Sequence, residues 1–381
     1  MKTNLLQASL LVGVLALYAC GNSGKQPNTS YITGKEPSEL SFQYKTMEEA
    51  EDKLMASIKK EKQEKDYYYN SDLISFVIHE PRSISYPFTK LQKDSLVSIV
   101  TSADGNLRLY SWDTGMGASV TYWDNICQYR CDGKVYAYDG NIQNVGKYYE
   151  ENNQNTDDRG CSVLNISTLK SQNGTPVYLV LSETRMSDIM GYCELDAVKI
   201  EEGELRQAPI FANGQGTSNS LTTDMIARVP ASRTKDGENW NHLFCFDAKN
   251  AHLYVPEYGD SVPETFYVYQ FDGSMFLYLT HGGGPWLHPS VRSFQEKRYE
   301  MVTDNYHVRV DSLDNGNLRY ASWKSGMEMS EEPEIVIEGG SFDQKHNRYV
   351  FQNEGCEYQV STDGRLKVLR KGRTIVNERQ K

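Results

Sequence analysis

The sequence predicts an all-β protein of repeated antiparallel hairpins, and three observations carry that prediction. Short runs rich in β-branched and aromatic residues follow one another from about residue 67, at 74–78, 96–100, 107–112, 134–138, 177–181, 253–255, 266–271, 275–279, 306–310, 335–337, 348–351 and 366–369. Turn pairs punctuate them: Asp104-Gly105, Asp132-Gly133, Glu202-Gly203, Asp272-Gly273, Asn315-Gly316 and Asp363-Gly364. Such pairs suit the two-residue hairpin turn, whose central residues both need positive φ. Finally, the run from Asn106 through Trp112 to Met116 matches the run from Asn317 through Trp323 to Met327, and Ser361-Thr362-Asp363-Gly364 gives a shorter echo.

A repeat this widely spaced means a duplicated half or a recurring blade rather than a tight solenoid. Two architectures fit. The expected one is β-propeller-like; the alternative is two related β-sandwich or barrel-like halves, roughly 67–235 and 236–381. Ahead of this domain, Thr46-Met47-Glu48-Glu49 matches a capping box, and Met47, Ala50, Leu54 and Ile58 recur at helical spacing. Acidic residues crowd the first turns and lysines the last, which complements the helix dipole. The spacing predicts one charged amphipathic helix over 46–66, on the surface of the domain or standing off it.

The chain has 381 residues and a net charge of −11. Lys2 is the only charged residue before position 20, so loss of the first 19 residues makes the remainder more acidic by one. That balance excludes an electrostatic footprint for nucleic acid. The start reads as a positively charged tip, then the apolar run 10–17, too short to span a bilayer, then Leu17-Tyr18-Ala19-Cys20.

The last four residues resemble the lipobox of bacterial lipoproteins. The resemblance implies a signal peptide over 1–19, cleavage between Ala19 and Cys20, and a lipid anchor on Cys20 that ties the protein to an envelope membrane. Gly21 stands where an inner-membrane retention signal places Asp, so the implied destination is the outer membrane. Residues 20–45 are polar and broken by Gly24, Pro27, Gly34 and Pro37, and read as a flexible tether. With Cys20 assigned to lipid, six cysteines remain: Cys127, Cys131, Cys161, Cys193, Cys245 and Cys356. An even number in an oxidising compartment points to disulfides, with fifteen possible pairings.

Several motifs look catalytic and are better explained otherwise. His281-Gly282-Gly283-Gly284-Pro285-Trp286 resembles the oxyanion-hole loop of esterases, yet no Gly-x-Ser-x-Gly elbow accompanies it; a glycine loop after a hairpin is the expected role. Cys127 and Cys131 have no second Cys/His pair at zinc spacing, and the seven histidines show no ligand spacing, so no metal and no cofactor are expected. The polar loop 153–160 lacks the alternation of calcium ligands. Asp113 beside Trp112 could serve a glycosidase, which would need a second carboxyl in the same cleft. Among the tryptophans, Trp112 and Trp323 read as packing, while Trp240 and Trp286 lie in loop-like surroundings and are the expected ligand contacts.

The turns ahead of the repeated Trp, Ser102-Ala103-Asp104-Gly105 and Ser312-Leu313-Asp314-Asn315-Gly316, faintly resemble the Ser-x-Asp-x-Gly Asp-box of propeller enzymes, in which Trp follows sooner. Asp94-Ser95-Leu96, Asp260-Ser261-Val262 and Asp311-Ser312-Leu313 resemble the O-glycosylation acceptor of Bacteroidota, with Ser261 the favoured site. Together with the lipobox and the repeated Ser-Trp element, these triplets give the chain its similarity to a lipoprotein family of Bacteroidota, which implies location and no activity. The resulting expectation is a non-enzymatic binding or scaffold module that meets a glycan or another envelope protein. The alternative is a glycan-active hydrolase.

Overall fold

The computed structural model describes residues 29–31, 40–64, 70–116, 121–142, 145, 160–185, 190–213, 216–226, 244–257 and 265–381. The expected signal peptide over 1–19, Cys20, Trp240 and the triplet at 260–262 lie outside the described residues, as does the polar loop apart from Gly160. The fold is mostly antiparallel β in four sheets.

The first sheet orders its strands as Thr29–Tyr31, Lys134–Asp139, Trp123–Cys131, Leu107–Asp113 and Ser98–Thr101. The second runs Ser220–Ile226, Met190–Glu201, Pro176–Arg185 and Ser162–Lys170, with Glu204–Gln207 also on Met190–Glu201. The third has six strands between Phe211 and Gly282. In the fourth, eight strands from Glu296–Val302 to Arg373–Arg379 pair strictly in chain order. That meander curls until the Lys381 N–H donates to the Val302 carbonyl at 3.0 Å. These sheets fit the sandwich- and barrel-like alternative.

Side-chain alternation decides how the sheets stack. Tyr178 and Val180 of the second sheet meet Leu107, Leu109, Cys127 and Tyr129 of the first in one core. Their neighbours Val177, Leu179 and Leu181 point the other way, into a core shared with Phe211, Leu253 and Phe276 of the third. The second sheet is thus buried on both faces. The opposite face of the first sheet, with Ile99, Tyr110, Trp112 and Ile126, is covered by helices.

Those helices are α1 (Met47–Glu64), α2 (Ser71–His79) and α3 (Thr89–Lys93), with a 3-10 turn at Pro81–Ser85 between the last two. Thr46 Oγ1 accepts the Glu49 N–H at 3.1 Å, as the capping box requires, while the Glu49 carboxylate reaches one residue further, to the Lys45 N–H. Far from standing off, α1 buries Ala50, Leu54 and Ile58 against the first sheet's cover. The run 74–78, expected as a strand, lies in α2. Short apolar runs do not reveal their period, and here Leu73, Phe76 and Val77 all pack into the helical cover.

Part of the segment 20–45, expected as a flexible tether, is ordered against the domain. Leu40, Phe42 and Tyr44 pack on the same core, Ser41 bonds Asp72 through its N–H and hydroxyl, and Thr29–Tyr31 adds a parallel edge strand.

The six cysteines, expected in disulfides, are all unpaired thiols. They are spread through separate cores: Cys193 between the second and third sheets, Cys356 against the eight-stranded sheet, Cys245 beside Tyr254 and Phe266. Only Cys127 and Cys161 share one cluster, where burial pushes both thiols up.

The duplication extends beyond the repeated words. Arg108 Nη1 donates to the carbonyls of Ser83 and Tyr86, closing off the Pro81–Ser85 turn. Arg319 donates to Val291 and Ser293, closing off α4 (Pro289–Arg292), which also starts with proline. Each copy therefore pins a short helix onto its sheet through one arginine fork.

In the eight-stranded sheet Glu300 accepts from His307 at 2.8 Å. Burial opposes its charge, but the His307 bond and the charges of Lys297, His307 and Arg309 outweigh it and bring its pKa down to about 2. A carboxylate depressed on folding contributes stability above its ordinary range and loses it as pH falls from about 4.5 towards 2. The shift corresponds to on the order of 3 kcal/mol. Asp311, pushed up by burial, works in the opposite sense. Glu300→Gln should remove the Glu300 component while leaving that of Asp311, so urea unfolding from pH 5 to 2 is expected to show a flatter decline in the variant. Equal slopes would refute the assignment.

Candidate functional site

A cleft of about 430 Å³ opens where the last turn of α1 and the segment after α3 meet the ends of the first sheet's strands. The volume lies within the ~300–1,000 Å³ of small-molecule sites. Two indoles wall it, Trp112 from Leu107–Asp113 and Trp123 from Trp123–Cys131; antiparallel register sets Trp123 opposite Asp113. Leu96, Val97 and Ile99 add apolar surface. Ser95, Ser98, Ser111 and Ser162 add hydroxyls, and Lys62 and Asp113 bring one charge of each sign.

The two tryptophans of the repeat differ in one respect. Trp323 is fully buried and its Nε1–H donates to the Glu331 carbonyl at 2.9 Å. Trp112 is equally buried, at 1 % exposure, but its Nε1–H meets no acceptor, and the Nε1–H of Trp123 meets none either. Both atoms are closed to solvent. A buried unpaired donor costs about 1–3 kcal/mol, so this wall is held at the expense of stability. The second copy shows the same residue fully satisfied.

Of the described residues lining the cleft, Asp113 alone is a carboxylate. One of its oxygens accepts the Gly115 N–H at 2.8 Å. Other acids in the region serve structure. Asp104 binds Ser102, the Asn106 N–H and the Tyr178 hydroxyl. Burial opposes its charge, yet those bonds hold its carboxyl below the usual range.

Trp286, one of the expected contacts, packs edge-on to Phe266 at 5.2 Å and belongs to the core beneath the third sheet. The glycine loop before it is structural: a Cβ on Gly282 would sit 2.1 Å from the Arg292 carbonyl, and the Gly283 N–H donates to that same oxygen. His281 bonds Glu257, which also takes Thr265 and Tyr267, with no serine nucleophile in the group. Among the described residues no cluster of metal-ligating side chains occurs, and no helix is long and apolar enough to cross a membrane. Of the acceptor-like triplets, Asp311 and Ser312 are buried, whereas Ser95 is exposed, in a left-handed turn at φ 53° on the rim of the cleft.

Trp112 packs in the core between the first sheet and its helices, as its sequence suggests, and it also borders the cleft; in the sequence its copy differs at the next residue, Asp113 against Lys324.

No family model matches the chain, and no curated protein matches it. Among solved structures it is similar to a triple-arginine mutant of AofleA from Arthrobotrys oligospora, at 10 % identity over 74 % of this chain and 71 % of that one, with a TM-score of 0.22. It is also similar to Trypanosoma rangeli sialidase bound to a difluorinated nononic acid, at 8 % identity over 74 % of this chain, with a TM-score of 0.18. The sialidase bound to the inhibitor DANA gives 10 % identity and 0.16. The chain spans about half the length of each sialidase chain, 52 % and 53 %. Likenesses this distant carry no argument about fold or ligand.

Proposed function

We propose that this chain is a lipoprotein of the cell envelope, anchored through Cys20 with the outer membrane as its destination, and that its β-domain is a non-enzymatic binding module. The lipobox-like Leu17–Cys20 segment supports the anchor. The observation that carries the binding role is the cleft itself, walled by two indole donors without acceptors and holding a single carboxylate. Hydrolysis of a glycoside needs two carboxyl groups, so the lining favours binding over turnover.

Two measurements test this. Labelling cells with an alkyne fatty acid should mark the wild type and not Cys20→Ala, which should leave the membrane fraction; a labelled Cys20→Ala protein would sink the anchor. Trp112→Phe and Trp323→Phe both remove ring volume, but only the second breaks a hydrogen bond. Trp323→Phe should therefore lose about 1 kcal/mol more stability. In a thermal-shift screen of polar metabolites, peptides and sugars, Trp323→Phe should keep the wild-type response and Trp112→Phe should lose it. Equal destabilisation by both variants would make Trp112 a structural residue, and turnover of any glycan would overturn the non-enzymatic reading.

A further inference from the structure

We infer that the ligand of the Trp112–Trp123 cleft is a neutral saccharide, a mono- or disaccharide unit, a reading that rests on the binding role proposed above. The first argument is the texture of the lining. Indole and aliphatic surface alternates with serine hydroxyls around one cavity. A sugar ring has the complementary texture, with C–H faces that pack on apolar surface and hydroxyls around its rim. A purely apolar ligand would strand the serines, and a purely ionic one would waste the indoles.

The second argument is hydrogen-bond balance. An indole N–H only donates, and among the described residues neither Trp112 nor Trp123 has an acceptor. Ring and hydroxyl oxygens of a sugar accept. The two Nε1 atoms are closed to solvent, so the proposal requires side-chain rotation in the wall, a common adjustment on binding, before a sugar oxygen reaches them. Serine hydroxyls can then exchange both donor and acceptor roles with the rest of the ring. Ser98 already donates to the Val163 carbonyl and so offers its lone pairs.

The third argument is charge. Lys62 and Asp113 are the two ionised residues of the lining, of opposite sign. Their fields largely offset each other, so a charged sugar gains no net attraction to repay the loss of hydration of its charge, a cost that a neutral sugar escapes.

The test is titration calorimetry of the mature protein with glucose, N-acetylglucosamine, lactose and cellobiose, against glucuronic acid and glucosamine. At least one neutral sugar should bind, with the charged counterparts at least tenfold weaker. Trp112→Phe and Trp123→Phe should each weaken it about tenfold, the effect of one lost hydrogen bond, and Trp323→Phe should not. Asp113→Asn should improve glucuronic acid relative to glucose. Charged sugars binding as tightly as neutral ones, or an equal loss in Trp323→Phe, would overturn the inference. If no sugar binds but another compound stabilises the wild type through Trp112, the saccharide class falls and the binding role stands. If nothing in the thermal-shift screen responds, both fall.

Discussion

Arg319→Met is expected to cost about 3–5 kcal/mol, the largest single loss among these variants, because it breaks a buried ion network instead of a surface pair. Arg319 is 3 % exposed. Its guanidinium donates to the carbonyls of Val291 and Ser293 and to Asp311 Oδ2 at 2.8 Å. Asp311, itself fully buried, takes Arg309 Nε at 2.7 Å on its other oxygen, and Arg309 lies over the Phe294 ring. Methionine matches the aliphatic stem but supplies no donors. Two carbonyls at the end of α4 lose their partner, and Asp311 keeps one positive neighbour in place of two. The equivalent Arg108→Met removes bonds to Thr101, Ser83 and Tyr86, all neutral acceptors. Its expected cost is smaller, about 2–3 kcal/mol. Urea unfolding of both variants checks the ranking. An Arg319→Met protein within 1 kcal/mol of wild type, or a costlier Arg108→Met, would show that the network adds little. Lysine at 319 should not rescue, since one ammonium cannot serve three acceptors in the planar fork that arginine presents.

Much of the β-architecture was legible because turns announce themselves. Asp132-Gly133 and Glu202-Gly203 both form the two-residue turn, with positive φ at each central position. At Asp104, Asp272 and Asn315 the same type of pair makes a different loop, in which the side chain accepts backbone N–H groups two or three residues on and the glycine alone takes positive φ. A dipeptide marks the bend without fixing its length. What the sequence could not show is stacking. Val177 to Leu181 reads as one apolar run, and only the presence of a core on each side explains why no alternation appears. The repeated tryptophans do pack in cores, as their sequence suggests, but not with the same partners. Trp112 and Trp323 share their neighbours in sequence, and what separates them is that the Glu331 carbonyl takes the Trp323 Nε1–H, whereas the Trp112 Nε1–H has no acceptor among the described residues. Lys62 reaches the cleft from the last turn of α1, which a linear reading treats as solvated charge.

Glu51→Ala should cost about 3 kcal/mol and loosen the helical cover that forms one side of the cleft. Glu51 is fully buried, the only acidic residue of α1 that is. One oxygen accepts the N–H groups of Lys90 and Leu91 at 2.7 and 3.1 Å, capping α3, and the other accepts the Tyr86 hydroxyl at 2.9 Å. Burial, followed by that bond, pushes the Tyr86 hydroxyl up to about 12. Alanine would orphan two backbone donors in the first turn of a five-residue helix that has no side-chain cap of its own. In the sequence Glu51 looks like one more acid favouring the helix dipole. Its position, four residues after Met47 and three before Leu54, puts it on the apolar stripe, and an acid there signals a buried partner. Glu51→Gln separates charge from shape: it retains one acceptor oxygen, and its expected loss is nearer 1 kcal/mol. If the cap matters for the site, Glu51→Ala should also weaken ligand response at the cleft, because Leu96 to Ile99 follow directly from α3. Hydrogen exchange at Lys90 and Leu91 gives the direct measurement. Unchanged protection in Glu51→Ala would mean that α3 is held by Leu91 and Phe88 packing alone, and the carboxylate would then be a passenger in the core.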